Sequence, residues 1–550
     1  MGSAGHLVIL PIILPLVAGA VLLLIDERRR ALKASLSIIA TVLVALTAFA
    51  LLNIADLGSG GGAITSAYLL GNWPPPFSIV LVLDRLSALM LVLTALLALA
   101  SLVFSLARWD RAGPHFHTLF QLLLMGLNGA FLTGDLFNLF VFFEVLLAAS
   151  YGLMLHGSGA VRVKAGLHYI AINLVASFLF LIGIALVFNV TGTLNLADMA
   201  VKIPAVEPED RALLHAGGAI LGIAFLIKAG MWPLSFWLPN AYAAAAAPVA
   251  AIFAILSKVG VYVLLRLSLL LFGTEAGVSA GFGTNWLVTG GIATIIFGTV
   301  GVLASQAMGR LASYSVLVST GTLLAVIGLA DIEATSGALF YMVSSTLALS
   351  AFFLLVELVE RSQDPVADVL AVTMEAYGQR FEDDDEKDDD VKEVGVAIPA
   401  TLAVLGISFA ACGLLIAGLP PLSGFIAKFI LLSAVLGRGD MGGVTDVSTT
   451  SWIIITLLII SGLAAMISIV RAGIRTFWAP IEGVVPRVTV TEILPVGFLL
   501  ALCLGMTIFG ERVMRYTEAA SISLHRPSGY IRDVLSTPPV PSSTGGGYVP

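Results

Sequence analysis

This sequence predicts an all-α membrane protein of about fourteen transmembrane helices, two of them broken, and three observations carry that expectation. Of its 550 residues, 58% are hydrophobic and only 11% charged, against about 25% charged in a soluble domain. Mean hydropathy is +1.01. Apolar runs of about 20 residues, enough to cross a bilayer, recur along the chain and leave little for a water-soluble core. The same composition excludes a soluble enzyme, a nucleic-acid binder and a disulfide-rich secreted domain.

Taken in order, the apolar runs lie near residues 7–25, 34–54, 80–106, 116–134, 136–156, 167–190, 213–231, 248–271, 286–306, 312–330, 336–359, 397–436, 452–477 and 491–510, the twelfth of them interrupted. The first is followed by Asp26-Glu27-Arg28-Arg29-Arg30. It has neither a basic start nor a small-residue cleavage site, so it reads as a retained helix and not a signal peptide. With the N-terminus outside, the inner loops collect most of the Lys and Arg, among them Arg108, Arg162, Arg361 and Arg471. The outer loops keep Lys202, Arg211, Arg438 and, at the edge of its span, Arg266. This is a positive-inside pattern, and it turns both termini outward. Between Glu382 and Glu393 lie nine acids and two lysines, a local charge equal to the −7 of the whole chain. Such a run reads as a solvated, self-repelling loop. Residues 511–550 read as a polar, partly disordered tail, rich in Pro, Ser and Gly at its end. Cys412 and Cys503 sit in apolar runs without metal-ligand spacing and read as small core hydrophobes.

The informative residues are the charges inside apolar runs. A charge at the centre of a membrane helix costs about 2.5–3.5 kcal/mol on insertion scales, so those that persist line a pathway or pair with one another. Arg85, Lys228, Lys258 and Lys428 are the basic residues so placed, with Glu144 as the acid at comparable depth. Arg85 follows Asp84 at the start of its run and reads as a local interfacial anchor. Glu144 has nothing in its own helix to neutralise it, which leaves a carboxyl kept protonated or bonded to a neighbouring helix, or a buried partner for a lysine.

Lys228 coincides with a helix break. Ala229-Gly230-Met231-Trp232-Pro233 follows it, and Pro233 removes a helical hydrogen bond at membrane depth. Exposed polar backbone there is tolerated only beside protein or a wet cavity. The pattern Ala229-Gly-Met-Trp-Pro-Leu-Ser235 returns as Ala417-Gly-Leu-Pro-Pro-Leu-Ser423, with Pro420 and Pro421 at the break and Lys428 just beyond. Paired interrupted segments in two halves point to a transporter built of inverted repeats with an ion site at the midplane. Lys258 lies near the middle of its run. One acid and three lysines can therefore be strung laterally through the bilayer centre, where moving a carboxylate toward or away from a lysine changes whether it holds a proton.

Other signals are weaker. His115 and His117 make a poor metal site, with no Cys or carboxylate near them in sequence. His168 and His215 begin apolar runs, where interfacial anchoring and proton access are both open readings. No motif for a nucleotide, haem or iron–sulfur cluster is present, so no cofactor and no metal are expected.

The segments Phe137-Asn-Leu-Phe-Val-Phe-Phe-Glu144-Val, Thr191-Gly-Thr-Leu-Asn-Leu-Ala-Asp198, Ile227-Lys228-Ala-Gly-Met-Trp-Pro-Leu-Ser-Phe-Trp-Leu-Pro-Asn240-Ala-Tyr242, Ser257-Lys258-Val-Gly-Val-Tyr262 and Pro420-Pro-Leu-Ser-Gly-Phe-Ile-Ala-Lys428-Phe carry a family resemblance. They resemble the proton-translocating subunits shared by Mrp-type (Pha/Mnh) multisubunit Na⁺/H⁺ antiporters, respiratory complex I and membrane-bound hydrogenases, and within these the Mrp-type D subunits most. The resemblance covers about residues 1–510. It implies two inverted five-helix repeats: 1–106 as N-terminal helices, 116–271 as the first repeat, 286–477 as the second with acidic loop 361–395, and 491–510 as a last helix. It also implies that Glu144 on the fifth helix pairs with Lys228 on the broken seventh, that Lys258 on the eighth connects, and that Lys428 on the broken twelfth is terminal. The partners implied are the other subunits of a hetero-oligomeric antiporter, protons, monovalent cations and the lipid of a bacterial inner membrane. The sequence departs from its relatives in the eleventh helix, where they place His or Lys and this chain has Ser344, Ser345 and Thr346. These three are the candidate polar link. The expected function is monovalent cation/proton antiport by a Glu/Lys relay, with no enzyme activity. The alternatives are a proton-pumping subunit of a redox complex and, in another class, a solute carrier or a non-transporting scaffold.

Overall fold

A computed structural model describes residues 4–56, 65–361, 399–437, 448–478 and 488–539. The acidic run 382–393 and Arg438 lie outside the described residues. The main helices are α1 (Leu10–Leu24), α2 (Arg30–Asp56), α3 (Arg85–Ser105), α4 (Phe116–Leu132), α5 (Leu136–Met154) and α6 (Ala160–Thr191). They continue with α7 (Arg211–Ala229), the short α8 (Leu238–Ala244), α9 (Ala247–Leu271), α10 (Thr284–Ala304), α11 (Met308–Ile327) and α12 (Ile332–Glu360). The last are α13 (Pro399–Ala417), α14 (Ser423–Val435), α15 (Thr449–Gly473), α16 (Val490–Ile508), α17 (Gly510–His525) and α18 (Ser528–Leu535). Among the described residues, eleven helices are long and apolar enough to cross a membrane, and α1, α4, α13 and α14 are shorter apolar helices. The all-α membrane class read from composition is the class observed.

Polar residues set the ends of these helices. Asp84 accepts the Ser87 backbone N–H at 2.9 Å, Asp135 that of Asn138 at 2.8 Å and Asp331 that of Ala334 at 2.9 Å, so α3, α5 and α12 each start on an aspartate that satisfies an orphan donor. Outside the bundle, β1 (Ser66–Leu69) and β2 (Val80–Leu83) pair antiparallel with Ser66 opposite Leu83. The hairpin is tied to the α4–α5 turn by the Gly134 N–H, which donates to the Val80 carbonyl at 2.8 Å.

The centre of the molecule is α9, buried along nearly its whole length, and α12 is almost as enclosed. Gly260 lets α9 approach α7: a Cβ there would lie 2.9 Å from both the Phe225 carbonyl oxygen and the Ala229 nitrogen. This backbone contact brings the helix bearing Lys258 against the helix bearing Lys228.

One reading of the sequence is corrected. Arg266, assigned to an outer loop, is buried within α9 and paired with Asp84, its Nη2 2.9 Å from Oδ1. Arg85, at the start of α3, lies 3.8 Å from Asp56. The part of the tail before its Pro-, Ser- and Gly-rich end holds α17 and α18. Thr517, Ala520, Ser521 and Leu524 make a buried helical stripe, and Tyr530 and Val534 another, so a segment judged by its charges has an amphipathic period that packs on α3, α9 and α12.

Candidate functional site

The first break begins where α7 ends. Gly230 takes a left-handed conformation, φ 78°, and the Met231 N–H closes back on the Leu226 carbonyl at 3.0 Å. This is a helix-terminating turn of the kind glycine permits. Pro233 follows and α8 starts only at Leu238, the Trp237 indole N–H donating to the Ile227 carbonyl at 3.2 Å. Lys228 sits in the last turn of α7, 5% exposed. Its Nζ has no hydrogen-bond partner among the described residues and lies 4.8 Å from the centre of the Phe143 ring, an arrangement in which the ring face attracts the ammonium. Glu144 is the next residue on α5, and its Oε1 accepts the Ser177 hydroxyl of α6 at 2.5 Å. Glu144 and Lys228 are therefore neighbours that act on each other electrostatically without a hydrogen bond between them. The direct pair implied by the family resemblance is open in this structure, because the lysine is turned onto the aromatic face and the carboxylate onto a serine.

Lys258 is fully buried on α9. Its ammonium donates to Ser319 Oγ at 2.9 Å and to Thr320 Oγ1 at 3.3 Å, both on α11. No carboxylate is among its bonded partners. Sequence reasoning missed these two hydroxyls, although the dense run Ser313, Ser315, Ser319, Thr320 and Thr322 within one apolar span was a readable signal.

At the second break, α13 ends on Gly418, φ 76°, with the Gly418 and Leu419 N–H groups both donating to the Leu414 carbonyl at 2.9 Å. Pro420 and Pro421 prevent continuation, and α14 starts at Ser423. Lys428 reaches back across this break: its Nζ donates to the Ala417 carbonyl at 2.9 Å and the Ile416 carbonyl at 3.3 Å. A cation there complements the negative end of the α13 dipole.

Of the three residues proposed for the eleventh-helix link, two reach a hydroxyl on another helix. Ser345 Oγ is 3.0 Å from Ser319 Oγ, and Ser344 Oγ is 2.9 Å from Ser423 Oγ. Thr346 does not: its hydroxyl donates to the Met342 carbonyl of its own helix at 2.5 Å, a carbonyl that Ser345 Oγ also reaches, at 3.4 Å. A cavity of about 30 Å³ between α11, α12 and α14 is lined by Ser319, Tyr341, Ser344, Ser345, Lys428 and Ser461. The first break instead borders an apolar cavity of about 490 Å³ that includes Leu226, Met231 and Leu234. Neither candidate access histidine reaches the four charges. His168 is exposed and hydrogen-bonded to the Lys164 carbonyl at 2.8 Å, while His215 bonds Ser279 at 3.0 Å and stacks on Phe282. A polar cavity of about 380 Å³ opens beside Trp109, Arg162, Glu357, Glu360 and Arg361, at the end of the bundle that the positive-inside pattern assigns to the inner face. Among the described residues, no group of three His, Cys, Asp or Glu is placed to hold a metal ion.

Comparison with known proteins sets this geometry in a family. Residues 133–454 match the model described as NADH:quinone oxidoreductase/Mrp antiporter, transmembrane. A protein of Rhizobium meliloti, named as the D subunit of a probable K⁺/H⁺ antiporter, is 61% identical, over 97% of this chain and 98% of its own. The D subunit of the Na⁺/H⁺ antiporter of Alkalihalophilus pseudofirmus is 31% identical, over 96% and 99%. Among solved structures, the Mrp complex from Dietzia contains a chain that superposes with a TM-score of 0.80 at 24% identity, covering 98% of this chain and all of that one. Respiratory complex I from Thermus thermophilus gives 0.71 at 21%, covering 96% of this chain and all of its counterpart. At these identities the two structures speak to the fold alone. The chain belongs to the family of membrane subunits shared by NADH:quinone oxidoreductases and Mrp antiporters.

Proposed function

We propose that this chain is the proton-translocating subunit of a multisubunit monovalent cation/proton antiporter in a bacterial inner membrane, and that Glu144, Lys228, Lys258 and Lys428 carry the proton laterally along the membrane plane. The observation that carries the reading is Lys258: an ammonium fully buried in the central helix and held, among the described residues, by two hydroxyls. A structural lysine at that depth would be expected to have a carboxylate partner. Lys228 and Glu144, with no hydrogen bond between them, supply the movable pair. When the carboxylate approaches, Lys228 is stabilised as a cation. When it turns to Ser177, as it is here, the cation is left without a counter-charge and its proton is released toward Lys258.

The relative at 61% identity is named for K⁺/H⁺ exchange, which makes K⁺ our choice of exchanged ion. The other subunits complete the complex, and both termini face outward.

The test is cation-dependent collapse of a preset pH gradient in everted vesicles holding the complete set of subunits. Wild type should respond to K⁺, and Lys258→Ala and Lys228→Ala should each lower the rate by about a hundredfold or more with the complex still assembled. Wild-type rates in these variants would end the relay reading. The fold shared with complex I supports one second reading, coupling to electron transfer. Proton pumping that appears only on adding an electron donor, with no response to any monovalent cation, would favour it.

A further inference from the structure

The relay just proposed leaves a gap between Lys258 and Lys428, where the eleventh span presents Ser344, Ser345 and Thr346, whose hydroxyls store no proton. Resting on that reading, we infer that the gap is closed by a hydroxyl bridge, Ser319 of α11 and Ser345 of α12, continued by water in the small serine-lined cavity to Lys428. Ser344 and Ser423 act beside it as positioning residues.

The geometry is continuous on the Lys258 side. Ser319 Oγ lies 2.9 Å from Lys258 Nζ and 3.0 Å from Ser345 Oγ, so one hydroxyl touches both the lysine and the next hydroxyl. On the far side the cavity of about 30 Å³ is bounded by Ser319, Ser345, Ser461 and Lys428 itself. A water needs about 10–15 Å³ of such volume and two or more polar partners, so the space suits about two waters. The Ser344–Ser423 bond, 2.9 Å, ties α12 to the first residue of α14 and so sets how far Lys428 stands from the cavity.

The transfer balances atom by atom. The Lys258 ammonium gives a proton to Ser319 Oγ as the hydroxyl proton of Ser319 passes to Ser345 Oγ and that of Ser345 passes to a cavity water. The water gives a proton to the neutral Lys428 amine. One proton leaves one lysine and one arrives at the other. Each serine is neutral before and after, and its hydroxyl rotates back for the next turn. A hydroxyl donates and accepts at once, which is all this role requires. The bridge also avoids a third positive charge between two buried lysines, a costly arrangement at membrane depth.

The inference is tested on the assembled complex, with co-purification of the other subunits as the check on folding. A Ser319→Ala/Ser345→Ala double variant should lose about ten- to a hundredfold in cation-dependent antiport. Ser319→Thr/Ser345→Thr, which keeps both hydroxyls, should recover most of the rate. Thr346→Ala, which removes a hydroxyl turned to its own helix, should run as wild type. Wild-type antiport in the double alanine variant, in preparations where Lys258→Ala is inactive, would overturn the bridge and leave the relay standing. The bridge would also fall if the threonine pair were as slow as the alanine pair, because packing and not the hydroxyl would then matter. An active Lys258→Ala would overturn the relay and the bridge together.

Discussion

The two helix breaks share a backbone design and differ in where the lysine stands. Both end on a glycine in the left-handed region, φ 78° at Gly230 and 76° at Gly418, and both continue through proline into a second helix. At the first break the lysine belongs to the helix before the gap, and the carbonyl at the helix end is met by a neutral donor, the Trp237 indole. At the second the lysine belongs to the helix after the gap and bonds the end carbonyls itself. The surroundings differ in step: an apolar cavity beside the first, a serine-lined one beside the second. One backbone motif thus holds two lysines differently: Lys228 has no hydrogen-bond partner among the described residues, whereas Lys428 is tied to the negative end of a helix dipole. In the proposed relay the first answers to Glu144 and the second is the terminal acceptor.

The largest expected effect comes from removing each lysine in turn. Lys228→Met and Lys428→Met should both abolish antiport, but their stabilities should separate. Each removes a desolvated charge, which by itself is neutral or stabilising. Only Lys428→Met also strips the donor from the Ile416 and Ala417 carbonyls, leaving them unsatisfied at a cost of about 1–3 kcal/mol. Thermal unfolding of the purified complexes should therefore rank Lys228→Met above Lys428→Met. The reverse order would mean that Lys228 holds its break together and that the contrast is wrong.

A smaller effect should distinguish the two glycines. Alanine at either pays about 1–2 kcal/mol for a left-handed conformation. At Gly418 the new methyl also meets the Lys428 side chain, 3.0 Å from Cε and 3.2 Å from Cγ, whereas at Gly230 it meets Leu238 and Leu317. Gly418→Ala should thus lower antiport per assembled complex more than Gly230→Ala does, at similar loss of melting temperature. Equal losses of antiport would show that the position of Lys428 is not what the second break secures.

How much of this was legible follows from what kind of signal each part leaves. Apolar runs announce membrane helices, and a lysine inside such a run, or a glycine and proline beside it, is conspicuous without any structure, so Lys228, Lys258, Lys428 and both breaks could be read directly. Partners could not. Arg266 and Asp84 are 182 residues apart, and nothing local shows that they meet. Ser344, Ser345 and Thr346 are consecutive, yet successive helical residues point about 100° apart, so only the structure separates the two that reach a neighbouring helix from the one that does not. The amphipathic stripe of α17 was present in the sequence but masked by its arginines and glutamates. The open geometry of Glu144 and Lys228 is a matter of rotamers, which sequence does not encode at this level.

The smallest expected effect is the most direct test of the contrast. Trp237→Phe removes the indole N–H from the Ile227 carbonyl while keeping an aromatic ring against Tyr169 and Tyr242. Hydrogen bonds between membrane helices average about 0.6 kcal/mol, because the unfolded reference in the bilayer also finds partners. The variant should melt slightly earlier and transport at nearly the wild-type rate, since in the proposed relay the approach of Glu144, and not the helix end, sets whether Lys228 holds its proton. If its antiport instead fell as far as that of Lys428→Met, the neutral cap would be controlling the lysine beside it. The first break would then be a capped site like the second, and the division between a movable and a fixed lysine would have to be abandoned.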